Sequence, residues 1–480
     1  MNSYINWCLF LSIGLLFSQS VFAKEYRVSS AKEFNEIEEP LSAGDVVTLV
    51  NGIWENQVIE LTANGSLDNP VILKAETPGE VQLTGNSRLS VKGSSVIISG
   101  LLFIDGALDD EKEHIIRLEG SYHRLTQSAI INYNPESIDT RYFWVSLYGD
   151  HHRIDHNIFS GQNHSGVTNV VWLKGDNVGH HQIDHNYYGQ RPAGNGNGFE
   201  TIRIGTGRFS HIDAHILVEN NVFEETDGEI EIISNKSNHN TYRHNTFINS
   251  SGTLSLRQGQ YNIVEGNYFL GKFRKGSGGV RIISQNQLII NNHFENLNGR
   301  ADGIISVTAG NGLLSDEDLP LYPRVENSLI IGNTCINNNA PCIALNADFG
   351  QREKTLLAEN LLITHNSFYN DEPDTNFVAG KTNDSIIWSN NQSSGSEIGY
   401  ETDGVSETKL SLEILFGQVS KLPSVKPLFK CDMLDTLLPK KSWDNIDKLK
   451  QRCNQTIRRK KASAPPMLRD DVGPEWLKNI

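Results

Sequence analysis

The chain has 480 residues, of which 38% are hydrophobic and 21% charged, with 41 Gly and 15 Pro. These proportions exclude a disordered, collagen-like or Pro-rich chain, and the length suits one elongated repeat domain better than one compact core. A formal net charge of −15 excludes a sequence-independent nucleic-acid binder, which needs a basic footprint, but leaves room for a polyanion in a local basic cleft.

In chain order, residues 1–23 read as a targeting segment. Trp7 to Phe17 is almost wholly apolar but too short to span a bilayer, and Val21-Phe22-Ala23 places small residues where a signal peptidase reads. No Lys or Arg precedes the apolar run, so only the α-amine charges that end. The expectation is a cleaved signal peptide and a periplasmic or secreted protein. Cys8 would leave with it. The four remaining cysteines allow three connectivities, of which the local pairs Cys335–Cys342 and Cys431–Cys453 are simplest. None has zinc-type spacing.

Residues 24–42 (KEYRVSSAKEFNEIEEPLS) read as a short amphipathic cap over an open strand end. Beyond it a unit recurs, a short β-branched run followed by Asn-x-aromatic. It reads HRIDHNIF at Asn157, HQIDHNYY at Asn186, ILVENNVF at Asn221, TYRHNTF at Asn245, NIVEGNYF at Asn267 and LIINNHF at Asn292. LIIGNTC at Asn333 and LITHNSF at Asn366 continue it. From Asn221 to Asn292 the intervals are 24, 22 and 25 residues, a repeat-architecture period, and the runs have strand composition. The Leu frame of a leucine-rich repeat is absent. The fold class is therefore all-β, a right-handed single-stranded parallel β-helix. The recurrent Asn is expected in left-handed conformation at a turn, with its amide stacked between coils. The coils fill residues 24–400, and 401–480, richer in Lys, Leu and Asp, read as a C-terminal cap and tail with RRKKASAPP as a solvated strap.

Inside a packed coil there is no room for chemistry, so function belongs on an outer face. Alternation places Thr201 and Arg203 outward over Ile202 and Ile204, Glu229 and Glu231 outward over Ile230 and Ile232, and Thr253, Ser255 and Arg257 outward over Leu254 and Leu256. Arg281 follows in GGVRIIS. Lys236 to Arg257 is 21 residues and Arg257 to Arg281 is 24, one coil each. Neighbouring parallel strands lie about 4.8 Å apart, so two carboxylates, a Lys and three Arg converge on one surface. A solvated acidic strand with inter-coil ion pairs would show the same spacing.

EIEIISNKS, preceded by NGFETIRIG and followed by the Arg of LSLRQG, resembles polysaccharide lyase family 6, which contains alginate lyases and the dermatan-cleaving chondroitinase B. NGIWENQVIELTANGSLDNPVILKAETPGEVQLTG resembles its opening coils and DVGPEW its closing segment, so the resemblance covers nearly the whole mature chain. It implies Lys236 as Brønsted base, Arg257 as acid, and a Ca²⁺ held by Glu229, Glu231 and Asn197. Asn195 stands in the same Gly-Asn run and competes with Asn197. Arg203, Gln258 and Arg281 are the expected substrate contacts; Gln258 stands where many relatives carry His.

Those residue types suit β-elimination from a uronate. Hard oxygen ligands suit Ca²⁺, and a cation on the uronate carboxylate stabilises the enediolate that forms when the C5 proton leaves. Lys acts as base in its neutral form, which neighbouring positive charge favours. A guanidinium is a poor proton donor, so Arg257 is expected chiefly to stabilise the leaving O4. The expected substrate is an anionic uronate polysaccharide: alginate, with dermatan sulfate as the alternative. A pectin-type hydrolase would need carboxylates as acid and base instead, and a carbohydrate-binding β-helix would not need Lys236, Arg257 and the Glu pair together. Block preference, endo or exo action and a monomeric or dimeric state stay open.

Overall fold

The computed structural model describes residues 23–109, 113–175, 178–313, 321–370, 376–400, 402–407, 431, 446–457 and 466–478. The signal-peptide reading and most of RRKKASAPP lie outside these residues. The described chain winds into a parallel β-helix of three sheets, with 14, 12 and 14 strands. Except at the first pair of the first sheet and the last pair of the third, strands step by three along each sheet, so each full coil gives one strand to each, and every strand pairing is parallel.

The coil interior is built from aligned side chains. In the first sheet Ile154, Ile183, Val218, Tyr242, Val264, Ile289 and Ile330 stack in register. In the third, the aromatics of the repeat form a column from Phe159 through Tyr188, Phe223, Phe247 and Phe269 to Phe294, with ring centroids 4.6–5.4 Å apart. Cys335 takes the next place in that column and is bonded to Cys342; Cys431 is bonded to Cys453.

The recurrent Asn forms a buried amide ladder from Asn157 to Asn391, each Nδ2 donating to the next Oδ1 at 3.0–3.1 Å. One expectation needs correcting here. The ladder Asn is not the left-handed residue; the one before it is. His156, His185, Asn220, His244, Gly266, Asn291, Gly332, His365 and Asn390 all have φ between 51 and 65°. The positive φ turns the chain so that the next amide points inward, and His, Asn and Gly are the residues that tolerate it.

At the N-terminal end, strand Glu25–Val28 opens the first sheet and helix Ala31–Asn35, capped by Ser30, lays Ala31 and Phe34 on the core. At the other end the described parts of 401–480 pack on the flank of the coils. Val405–Glu407 adds a last strand to the third sheet. Helix Ile446–Ile457 sets Cys453 against Ile263, Leu288, Ile290, Leu329 and Ile331 on the outside of the first sheet. Residues 466–478 then run back along the coils. Val472 packs on Val222 and Ile248, and Trp476 Nε1 donates to the Gln127 carbonyl at 2.7 Å.

Candidate active site

Four consecutive strands of the second sheet, Ile202–Ile204, Glu231–Lys236, Gly252–Gln258 and Ser277–Ile282, carry Arg203, Glu231, Lys236, Arg257, Gln258 and Arg281, while Asn197 and Glu229 stand on the turns that lead into the first two. Arg203, Ser234, Ser255 and Arg281 form one outward column, with Ile202, Ile233, Leu254 and Val280 beneath them. The sheet is irregular here. The Glu231–Lys236 strand shifts register against its neighbour between Glu231 and Ile233 and again between Asn235 and Lys236. Ile233 therefore joins the inward column with Leu254, Ile232 is buried in the core as alternation has it, and Ile230 is only half-buried. The second shift pairs Lys236 with Gln258 and leaves Arg257 as the extra residue of a bulge, a device that re-aims a side chain.

Glu229 and Glu231 do converge, and a third carboxylate that the sequence reading missed joins them. One oxygen each from Glu200, Glu229 and Glu231 lie within 4.8 Å of one another. The fully buried Arg191 holds this corner from below, donating to the carbonyls of Glu200 at 2.8 Å and Gly166 at 2.6 Å. Glu229 Oε2 accepts from the Gly198 amide at 3.1 Å, and Glu231 accepts from Ser234 Oγ. Glu200 Oε2 is buried without a hydrogen-bond partner. Burial, with the charges of Glu200 and Glu231, pushes the Glu229 carboxyl well above the usual carboxylate range. Three crowded carboxylates with an unpartnered buried oxygen form a hard-oxygen set of the kind that fits a divalent cation such as Ca²⁺. Asn197 and Asn195 are both exposed on the adjoining turn, and Asn195 Nδ2 donates to Asp139 at 2.7 Å.

The cations gather beside this cluster. Glu231 Oε1 lies 3.7 Å from Arg257 Nε and 3.9 Å from Arg281 Nη1. Burial lowers the pKa of Arg257 and of Arg203. Arg203 does not pair with Glu231. Its guanidinium lies 5.0 Å from the Trp172 ring and 5.9 Å from Phe143, in the field of Glu200 and Glu229. Lys236 is half-buried at the end of its strand, and Gln258 is buried beside the Gly207 turn. Three further residues come from later coils: Tyr322, Asp348 and Lys354. No spacing rule reaches them, because they stand on insertions that break the repeat.

A paired-carboxylate hydrolase needs an acid and a base flanking open space. Here the carboxylates face each other and the arginines. A Lys and two Arg on one outward face suit an anionic chain. The family model described as Chondroitinase B matches residues 28–428. The chain belongs to this family, polysaccharide lyase family 6. Among solved structures it is similar to the family 6 alginate lyase AlyGC, at 30% identity and a TM-score of 0.79, covering 95% of this chain and 59% of that one. The chain thus spans a little over half the length of AlyGC. A mannuronic acid specific family 6 lyase from human gut microbiota is similar at 28% identity and a TM-score of 0.74, covering 91% of this chain and 100% of that one. A family 6 polysaccharide lyase from Pseudopedobacter saltans follows at 27% and 0.68, covering 81% and 98%. No curated protein sequence matches.

Proposed function

We propose that the protein is an exported polysaccharide lyase that cleaves alginate by β-elimination and leaves a 4,5-unsaturated uronate at the new non-reducing end. The observation that carries this reading is the Glu200–Glu229–Glu231 cluster set against Arg257 and Arg281, with Lys236 on the same strand as Glu231. The neutral amine of Lys236 takes the C5 proton, the C5 electron pair becomes the C4–C5 double bond, and the C4–O4 bond breaks. Arg257 stabilises the charge developing on O4, which takes up a proton from Arg257 or from solvent as it leaves; Arg281 binds the polyanion. Glu229, Glu231 and Glu200, with Asn197 from the adjoining turn, would hold Ca²⁺, which when bound supplies electrophilic neutralisation of the uronate carboxylate.

Dermatan sulfate is the second reading, favoured by the description of the matching family model. A panel of mannuronate, guluronate and mixed-block alginates beside dermatan sulfate, followed by the ultraviolet absorbance of unsaturated uronate, tests both. Absorbance from an alginate and none from dermatan sulfate is expected. The reverse replaces the substrate, and new reducing ends without absorbance overturn the lyase.

A further inference from the structure

Arg257 is the extra, unpaired residue of the bulge, yet a reaction at O4 needs its guanidinium in one place. The side chain lying over it belongs to no coil strand. Tyr322 sits between strands Ile305–Thr308 and Glu326–Ile331, only 5% exposed, with Arg257 Cζ 4.5 Å from its ring centroid. The carbonyl of the preceding Leu321 accepts from Arg257 Nη1 at 2.6 Å. Two donors of the fork are thus tied, Nε toward Glu231 and Nη1 to Leu321, and the ring lies against the guanidinium.

Tyr322 is itself held. Lys354 Nζ lies 4.0 Å from the same ring centroid, and Arg352 Nη1 donates to the phenol oxygen at 3.5 Å. Lys354 is 1% exposed and paired with Asp348 at 2.5 Å. Asp348 lies 3.9 Å from Arg281, Arg281 lies 3.9 Å from Glu231, and Glu231 lies 3.7 Å from Arg257. The six contacts close a ring: Arg257, Glu231, Arg281, Asp348, Lys354, Tyr322. A surface ion pair would add little here. A closed circuit of buried and half-buried groups instead removes rotamers from every member, and Tyr322 is its one uncharged link.

We propose that Tyr322 is a positioning residue for the lyase reaction, acting through the face of its ring to fix the plane of the Arg257 guanidinium and not through its hydroxyl. The proposal rests on the role given above to Arg257. A misplacement of about 1 Å at a reacting centre costs on the order of 10²-fold in rate. An aromatic face holds a planar guanidinium by stacking whether or not it bears a hydroxyl.

The test is steady-state kinetics of wild type, Tyr322→Phe and Tyr322→Leu on the polymer that the wild type cleaves, with Tyr322→Met in place of Leu should that variant not fold. Phe is expected to keep kcat within about threefold, and Leu to lose about 10²-fold in kcat with KM nearly unchanged. In an Arg257→Lys background, which has no plane to fix, Tyr322→Leu should cost almost nothing more. A Leu variant with wild-type kcat, a Phe variant as slow as Leu, a rise in KM alone, or losses that multiply in the double mutant would each overturn the proposal. A wild type that forms no unsaturated uronate from any uronate polymer counts against the lyase reading instead. The clamp is then read from ¹⁵N relaxation at Arg257 Nε, whose order should fall in Leu and not in Phe.

Discussion

The Asn ladder and the outer face of the second sheet are built from the same coils but obey opposite rules. Along the ladder, nine buried amides repeat one geometry from Asn157 to Asn391, and their donors meet acceptors at 2.8–3.1 Å. On the outer face, register slips twice within the strand Glu231–Lys236, one oxygen of Glu200 has no partner, and like charges crowd together. Stability is stored where the repeat is kept, and reactivity where it is broken. The two regions should therefore fail differently when altered.

Lys236→Ala should show the greatest contrast. A half-buried side chain at a strand end supports little packing, so the melting temperature is expected to stay within a few degrees. Loss of a general base lowers kcat by about 10²- to 10⁴-fold. An activity assay beside a thermal melt checks both, and substantial residual turnover would remove Lys236 from the base role.

Acid should weaken the repeat through its buried histidines. His123, His152 and His181 stack at 5.0 Å spacing within the coils, and each Nδ1 accepts a backbone N–H of the preceding coil, from Val96, His123 and His152. Burial pushes His123 down to about 4 and His152 to about 3, and His181 well below its ordinary value. The folded form thus stays neutral where the unfolded chain takes protons. Stability is full above about pH 6.5 and falls as pH drops toward 4, by about 1.4 kcal/mol per imidazole per pH unit. Urea melts from pH 8 to 4 should show that slope, and His152→Asn should flatten it. Asn240 already accepts the Ile216 amide at the corresponding turn of a later coil, so the replacement keeps the bond.

Asn245→Ala should cost less than full acidification but more than any surface change. Its amide donates to Asn267 and to the Val218 carbonyl and accepts from Asn221, all buried. Leaving those groups unpaired costs about 3 kcal/mol. A denaturation midpoint shifted by that amount, with kcat of the surviving folded enzyme unchanged, is the expected result.

How much of this was legible follows from the same contrast. The period, the strand composition and the recurrence of an aromatic after the Asn could be read because each coil repeats them. The left-handed position was misplaced by one residue, although the pairs HN, NN and GN before each aromatic carried the signal. Ile230 was assigned to the core because alternation runs on past the start of the strand at Glu231, whereas Ile232 does lie in the core. Glu200 was passed over for a similar reason. Two residues before Ile202, it reads as inward if the strand is extended backward, but the strand begins only at Ile202. Tyr322 and Lys354 were beyond reach, since only folding brings insertions from later coils over Arg257.

The smallest effect expected is also the one whose sign is most telling. Glu229 sits with Glu200 and Glu231 in a buried corner where its charged form is disfavoured. In metal-free protein, Glu229→Gln removes one of three crowding charges and keeps the shape. It should leave thermal stability unchanged or raise it by about 1 kcal/mol, the reverse of most buried substitutions. With Ca²⁺ added, the wild type should gain stability by mass action as the ion saturates the native state, and the variant should gain little. The two melting curves would then cross as calcium is titrated. Catalytic rate should follow the same titration in the wild type and stay low in the variant. Parallel curves, with the variant less stable at every calcium concentration, would mean that Glu229 is held as an ordinary structural carboxylate. The outer face would then resemble the ladder in being fully satisfied as it stands, and the cation reading of the cluster would fall.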